Sequence, residues 1–561
     1  MRIYNIYKLF LCWICCATCC LIACDPEIES IGEDPYAGGR EPLGITLSNK
    51  MPTPEMAYPG EKVIFGAKGL LAWAKPEQGK YDFEFFIAGE KVEIETVTDS
   101  TITIIVPQNV SSGGTHILLN GQVFYGPNFN VAGNVRVDLD WGLKEGTNGV
   151  IFNYLEHSTQ ARSYYFLGGF NSVGLEPRTK LMYVSNRGEL AGPATSRYNV
   201  RLPLRENIIN EDGIVEMSQE TLSSMAYFND GQVLLSGFFN AYVIDQWDSG
   251  YTTVNNITIL NNDLSLDTMH VNVRQLGQLN TVTRIVPRFN GGTLQPIIRS
   301  FVTQDGAVIA VGNISTYAQV DYSQSSNVEN IYIYKNVASA IRMERNGNLD
   351  LGYRSGNQTG ADGSITDAYM GKDDNVVIVG GFTTFDGIVA NRIVRLGSDG
   401  RVDQTYMDNI GMGANGTISM VRYNKNLGKA VVVGNFTTFN GQPRQGIAVL
   451  HEDGRLDNTF VPREIAGGNI NFGSLLNSGK VVISGSFQRY NGVTRPGFLI
   501  LDEDGGVTQL LNVFGTFVGQ LYQVVETQSS RGLNGLLLMG NFSRFNGEQA
   551  NNIVMLDVDF D

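Results

Sequence analysis

The amino-acid sequence predicts an all-β chain, a short N-terminal sandwich followed by a ring of repeated sheets. Three observations carry this. A phrase of the form Gly-x-Phe-x-x-Phe/Tyr-Asn/Asp-Gly begins at Gly380, Gly434, Gly485 and Gly540, at steps of 54, 51 and 55 residues. A period of that size marks stacked supersecondary units that cannot bury their apolar faces alone. The 65 glycines, against 17 prolines, place turns at short intervals, and the runs between them, such as Ala430-Val431-Val432-Val433, have strand length. At 561 residues the chain exceeds what one core supports, so two or more domains are expected.

The first element is a leader. Residues 1–23 carry Arg2 and Lys8 ahead of a short apolar stretch, the layout of a secretory signal. All six cysteines (Cys12, Cys15, Cys16, Cys19, Cys20 and Cys24) lie in the first 24 residues. The stretch ends Leu21-Ile22-Ala23-Cys24, which resembles the lipobox of bacterial lipoproteins. That resemblance implies cleavage before Cys24 and acylation of its thiol and new amino terminus, a lipid anchor in a membrane. The alternative, a transmembrane anchor, meets an apolar core short for a span of ~20 residues. The following Asp25-Pro26-Glu27-Ile28-Glu29 is similar to the surface-export signal of Bacteroidota lipoproteins, implying an outer-membrane, cell-surface location. In enteric bacteria the same Asp implies inner-membrane retention. The formal charge is −15, and −17 without residues 1–23. So acidic a chain argues against nucleic acid and anionic membrane faces as partners.

Residues 24–43 combine acidic residues with Pro and Gly and read as a tether. From 44 to 132 short strands alternate with turns: Val63-Ile64-Phe65 after Pro59-Gly60, Tyr81–Ile87 and Val92–Val97 around Gly89-Glu90, then Thr101–Pro107. The early Pro59-Gly60, the Asp99-Ser100-Thr101 strand entry and the Val106-Pro107 exit resemble the IPT/TIG immunoglobulin-like domains, which implies a spacer or docking module without chemistry.

From 134 to 561 the repeat takes over. Weaker copies centre on Gly168, Gly237 and Gly312, making seven in all. Asn-Gly and Asp-Gly pairs supply the positive φ angles of type I′ hairpins. The motif glycine marks a close backbone approach. The recurring Phe170, Phe382, Phe436, Phe487 and Phe542 are expected in the core, because a residue repeated at every unit packs against the next unit. Asp267, Asp350, Asp403 and Asp457 are expected to accept from nearby backbone amides. The stretch from Val431 to Phe460 resembles the delta-60 repeat, which implies a β-propeller. Seven blades follow from seven copies, with six or eight as alternatives. The last copy ends at Asn552–Asp557, midway through a unit, and residues 137–152 resemble the missing half. An N-terminal strand is therefore expected to complete the last blade and remove free sheet edges. Trp73 and Trp141 are expected in the cores of their domains.

No catalytic motif is present. His116, His157, His270 and His451 lack metal-ligand spacing, and there is no Gly-x-Ser-x-Gly elbow and no phosphate-cradling loop. No motif implies a cofactor or a metal; Asp557-Val558-Asp559 reads as a strand end rather than a calcium loop. Carboxylates brought to one mouth from distant blades could still hydrolyse or eliminate glycosidic bonds. The repeat breaks at 240–251 and 316–327, where two copies replace the tight hairpin by longer loops. These offer Tyr242, Asp245, Trp247, Asp248 and Tyr251, then Tyr317, Asp321 and Tyr322, expected to be neighbours on one face. Rings that stack on C–H faces beside carboxylates that accept hydroxyl protons suit a glycan; two decorated loops folding onto each other is the plainer reading. The expected function is non-catalytic binding of an extracellular ligand, best a polysaccharide for nutrient uptake, with an outer-membrane transport partner. An adhesive or structural protein–protein role and a propeller glycoside hydrolase or lyase are the alternatives.

Overall fold

A computed structural model describes residues 42–190, 200–201, 220–243, 250–356 and 358–560. Cys24, the leader, most of the tether, and Asp245, Trp247 and Asp248 lie outside the described residues. Leu47–Asp561 form one compact unit; of the other, Met1–Thr46, the described part is residues 42–46.

The N-terminal region is a rolled sheet. Lys62–Lys68, Thr101–Ile105, Glu90–Val97, Phe83–Ile87, Gly113–Leu119 and Gln122–Val131 pair in that order, and Met56–Ala57 closes the far edge. Alternation along the strands turns Val63, Phe65, Phe83, Phe85, Ile102, Ile104, Ile117 and Phe129 inward, all buried. Phe65 is the centre, with ring centroids 5.1 Å from Phe85 and 5.8 Å from Phe129. The arrangement is compatible with an immunoglobulin-like sandwich. Trp73 is not in this core: it ends a 3₁₀ turn, Leu70–Trp73, whose buried residue is Leu70, and is itself half-buried.

From residue 151 one pattern recurs. A sheet of three antiparallel strands, for example Ile418–Asn424, Lys429–Gly434 and Ile447–His451, is followed by a one-bridge fourth position, here Leu450 to Leu456. Between the second and third strands a small hairpin stands off the sheet. Seven such sheets follow one another among the described residues, starting at Ile151, Thr221, Arg299, Ile365, Ile418, Ile470 and Val518. Each first strand packs beside the next sheet's first strand, and Val518–Gln528 returns to Ile151–Glu156, so the ring closes.

Local chemistry explains the pattern. Most first strands carry a β-bulge, as between Ile418 and Met420, which pushes a carbonyl toward the motif glycine. A Cβ on Gly434 would stand 2.0 Å from Thr417 O, so only glycine fits. The Asn440-Gly441 pair has φ of 44° and 74°, the type I′ turn the sequence predicts. Phe170, Phe382, Phe436, Phe487 and Phe542 are all buried. The Asp positions hold turns and cations together: Asp403 accepts from Tyr406 N at 3.1 Å, starting the helix Gln404–Ile410, and pairs with Arg395.

The closure is built as expected, slightly earlier in the chain. Val135–Val137 pairs antiparallel with Ile553–Val558, with Val137 opposite Leu556, the position Leu456 takes against Leu450. Asp138 then accepts from Asp140 N at 3.0 Å, as Asp457 accepts from Thr459 N at 2.9 Å.

The N-terminal region is fastened to the last two sheets rather than loosely spaced from them. Ser112 Oγ donates to Val513 O at 2.7 Å, Gln509 Nε2 to Val110 O at 2.9 Å, and Arg495 Nη1 to Ser111 Oγ at 3.0 Å. Glu90 accepts from Thr494 N at 2.9 Å. Burial pushes the Arg495 guanidinium down to about 10, partly offset by Glu90.

Candidate functional site

The second-to-third-strand hairpins of all sheets emerge at equivalent places, so the two enlarged ones share a face of the ring. In the second sheet the enlarged hairpin contains Ala241–Val243 and Tyr251–Thr253; in the third it is Thr316–Val320 with Tyr332–Asn336. Their first tyrosines are not surface groups. Tyr242 is 1% exposed and donates to Leu264 O at 2.8 Å. Tyr317 is fully buried and its hydroxyl bonds Gly347 O; burial pushes that hydroxyl well above the ordinary tyrosine range. Both take the place held elsewhere by Phe385, Phe439, Tyr490 and Phe545, the fifth residue after each motif glycine. That offset is visible in the sequence. The expectation that Tyr242 and Tyr317 face a ligand is therefore corrected: the insertions begin one strand later.

Tyr490 makes the role of such a hydroxyl measurable. It donates to the buried Gly505 O at 2.7 Å and accepts from Arg463 N at 2.9 Å, and burial pushes its pKa up to about 12. Tyr490→Phe leaves both backbone groups unpaired and is expected to cost about 2 kcal/mol in urea unfolding. An unchanged midpoint would count against this bond as a structural tie.

Beyond those tyrosines the enlarged hairpins carry a polar and aromatic surface. Asp321 Oδ1 accepts from Ser323 N at 3.0 Å and Ser323 Oγ at 2.6 Å, holding the turn. Tyr322 is half-buried, and burial pushes its hydroxyl up to about 12. Arg284 Nη1 donates to Ser326 O at 2.8 Å and Asn330 Oδ1 at 2.9 Å. The rings of Tyr332 and Tyr334 stack with centroids 5.8 Å apart at 17°, and Tyr334 is 56% exposed. A third element, missed in the sequence, joins them: the hairpin Thr268–Arg274 with Thr281–Pro287. Its alternation on either side of Gly277 was a hairpin signal hidden inside a long inter-repeat segment. It touches strand Tyr251–Thr253. It also bonds the tip of the third-sheet hairpin, Arg274 N to Ser325 O at 3.1 Å and Asn327 N to Arg274 O at 2.9 Å. Tyr251 is half-buried at this junction.

The ring axis holds the most tightly bound charges. Arg299 Nε donates to Asp367 Oδ1 at 2.7 Å, and Arg422 Nη1 bonds Asp367 Oδ2. Arg299 Nη1 reaches Ser223 O at 3.1 Å, Arg422 Nε reaches Tyr522 O at 2.8 Å, and Gln523 Nε2 reaches Asn153 Oδ1 at 3.1 Å. Six of the seven first strands are thereby tied together. Burial pushes the Asp367 carboxyl up, but the two guanidiniums more than offset this and hold it below the usual carboxylate range. A carboxylate so held stays ionised and is a poor general acid or base at neutral pH. These residues recur in no repeat position, so no pattern announced them.

A cavity of about 740 Å³ lies between the N-terminal region, the closing strand and the last sheet, walled by Met56, Val131, Trp141, Phe514 and Phe545. Trp141 is buried there as expected. Three charged groups along it are already engaged: Asp138 by Ser530 N at 2.7 Å, and Arg136 and Arg531 by Asp557. Among the described residues no group of His, Cys, Asp and Glu could hold a metal ion, and no helix is long and apolar enough to cross a membrane.

Fold and site together define an all-β protein, an immunoglobulin-like region followed by a β-propeller. Residues 372–406, 428–460 and 476–505 match the model of a domain of unknown function (DUF5122) beta-propeller; each match starts just before a second strand, and the first two run just past the outer bridge. Residues 20–127 and 131–227 match two further domains of unknown function, DUF5008 and DUF5124. No curated protein matches the chain. Similar solved structures include the WD40 beta propeller domain of Doa1, at 13% identity and TM-score 0.38, covering 76% of this chain and 96% of that one. An auxiliary nutrient binding protein from Bacteroides ovatus shares 8% identity at TM-score 0.29, covering 92% and 98%. Another from Bacteroides thetaiotaomicron shares 10% at TM-score 0.28, covering 91% and 97%.

Proposed function

We propose that this chain is a non-catalytic, surface-exposed lipoprotein that binds an extracellular polysaccharide for nutrient uptake. One observation carries the reading: the ring's repeated tight hairpin is replaced on one face by long hairpins bearing Tyr251, Tyr322, Tyr332 and Tyr334 among Asn and Ser side chains. Ring faces beside uncharged hydrogen-bonding groups suit a sugar chain. Trp247, Asp245 and Asp248 extend the same loop in sequence and Asp321 flanks it; they complete the proposed contact set. The lipobox-like Leu21-Ile22-Ala23-Cys24 and the acidic residues after it support an outer-membrane anchor of Bacteroidota type with a transport partner nearby. The IPT/TIG and delta-60 resemblances belong to the same proposal.

Electrophoresis through gels cast with soluble glycans tests it. The full chain is expected to be retarded by at least one glycan, with Tyr334→Ala and Trp247→Ala each weakening retardation about tenfold, or ~1.4 kcal/mol. Absence of retardation on every glycan would sink the reading. A protein-binding role is favoured by a different observation, the exposed Leu276, Leu279 and Val328 on the same hairpins. Co-purification of an outer-membrane protein, lost on Leu279→Ser, is its expected result.

A further inference from the structure

Strand Tyr332–Asn336 is the outer strand of a two-stranded hairpin and has no second neighbour among the described residues. The corresponding strands of the repeats with tight hairpins, such as Ile388–Val389 and Gln442–Pro443, are two residues long and leave little edge to pair. This one is long, rich in Ile and Tyr, and exposed on both faces: Ile333 is 44% and Tyr334 56% exposed. Proteins ordinarily blunt such an edge with proline, inward charges or a covering element. Its one charge is Lys335, and its sequence runs Asn330-Ile331-Tyr332-Ile333-Tyr334-Lys335-Asn336.

Which backbone groups are free follows from the ladder. Asp321 N bonds Ile331 O at 2.8 Å and Val337 N bonds Ser315 O at 3.1 Å, while Ala318 N turns the other way, to Gly292 O at 2.9 Å. Antiparallel pairs alternate between bonded and non-bonded. Ile333 and Lys335 therefore face the hairpin's own partner strand, and Tyr332 and Tyr334 aim their N–H and C=O groups outward. No described group takes them.

We propose that this edge pairs with the same edge of a second copy of the chain, antiparallel and centred on Ile333. In that register Tyr332 meets Tyr334 of the second copy, and both are outward-facing, so each pair exchanges its two backbone bonds. Ile333 meets its own counterpart at a non-bonded position, and Asn330 meets Asn336. A two-fold axis at Ile333 makes the interface isologous, each residue i meeting j and j meeting i, and the near-palindrome about Ile333 sets Tyr opposite Tyr and Asn opposite Asn. Cross-strand aromatic and aliphatic pairs then form on opposite faces, the kind that stabilise a sheet. Lys335 comes opposite Ile331 and toward Glu329 of the second copy, so the end charges attract. The dimer is independent of what the hairpins bind. It would carry the Tyr332–Tyr334 stack of both copies in one continuous row.

The test uses the full-length chain in mild detergent. Every native cysteine lies at or before position 24, so the wild-type chain is the blank. Non-bonded antiparallel positions place Cα atoms about 4.5 Å apart, within disulfide reach. Ile333→Cys is expected to give a reducible band at twice the chain mass under mild oxidation, and Asn272→Cys on the neighbouring hairpin is not. Adding Tyr334→Pro removes an outward N–H without touching the hairpin's own ladder, and should cut the crosslinked fraction at least tenfold. No dimer band, a band insensitive to Tyr334→Pro, or a crosslink to a different protein would each overturn the pairing of two copies.

Discussion

Gly434→Ala is expected to destabilise the propeller by about 3 kcal/mol or more. The new Cβ would lie 2.0 Å from Thr417 O and 2.8 Å from Ile418 Cα, and both are backbone atoms of the bulged first strand. Neither can retreat freely. Thr417 O accepts from Asn435 N at 2.9 Å, and Gly434 N donates to Gly446 O at 3.0 Å on the other side. Relief requires breaking a ladder at the centre of a sheet. The comparison that isolates this cause is Gly492→Ala. That glycine has φ 78° with nothing within 4 Å of its Cβ position, so its substitution costs only the left-handed backbone penalty of roughly 1–2 kcal/mol. Urea midpoints for the two variants separate the explanations. Equal losses would show that close approach is not what selects glycine in the motif.

The same contact recurs at Gly168, Gly237, Gly380, Gly485 and Gly540, each with a carbonyl 2.0–2.1 Å from the Cβ position, which is why the repeat was readable. Packing that repeats writes itself into sequence at fixed offsets. The Phe core, the type I′ corners and the closing Val137-Asp138 were legible for that reason. The errors lie where one copy departs from the pattern. Tyr242 and Tyr317 stand inside the two broken phrases, and only their offset of five from the motif glycine marks them as core. The hairpin Thr268–Pro287 lies between repeats, where no period marks it. Arg299, Asp367 and Arg422 each occur once, and only ring closure brings them together; no one-dimensional spacing encodes that meeting. The docking of the N-terminal region through Arg495 and Ser112 was invisible for the same reason.

Asp367→Asn is expected to be the other severe change, at about 3–5 kcal/mol, because it strands two buried guanidiniums with no counter-charge. Arg299 and Arg422 would then repel each other across an amide that offers one acceptor where the carboxylate offered two. The backbone bonds to the same carboxylate, from Ala368 N at 3.0 Å and Val421 N at 3.2 Å, would weaken as well. If the loss arises from uncompensated charge rather than from packing, removing the charges together should recover it. The triple variant Arg299→Met, Asp367→Leu, Arg422→Met is expected near wild-type stability. The pH dependence gives a second, independent sign. Burial raises the Asp367 carboxyl, the arginines lower it further, and the folded value ends below the unfolded one of about 3.9. Its contribution is therefore complete above the unfolded pKa and is lost as pH falls through the folded one. Asp457 acts with the same sign: against the upward push of burial, Lys429 and Thr459 hold it at about 2. The gap in urea midpoint between wild type and Asp367→Asn should thus be full at pH 7 and narrow as pH falls below about 4. A gap that stays constant down to acid pH would assign the loss to shape, and the axial carboxylate would then be filler rather than the charge that binds the ring.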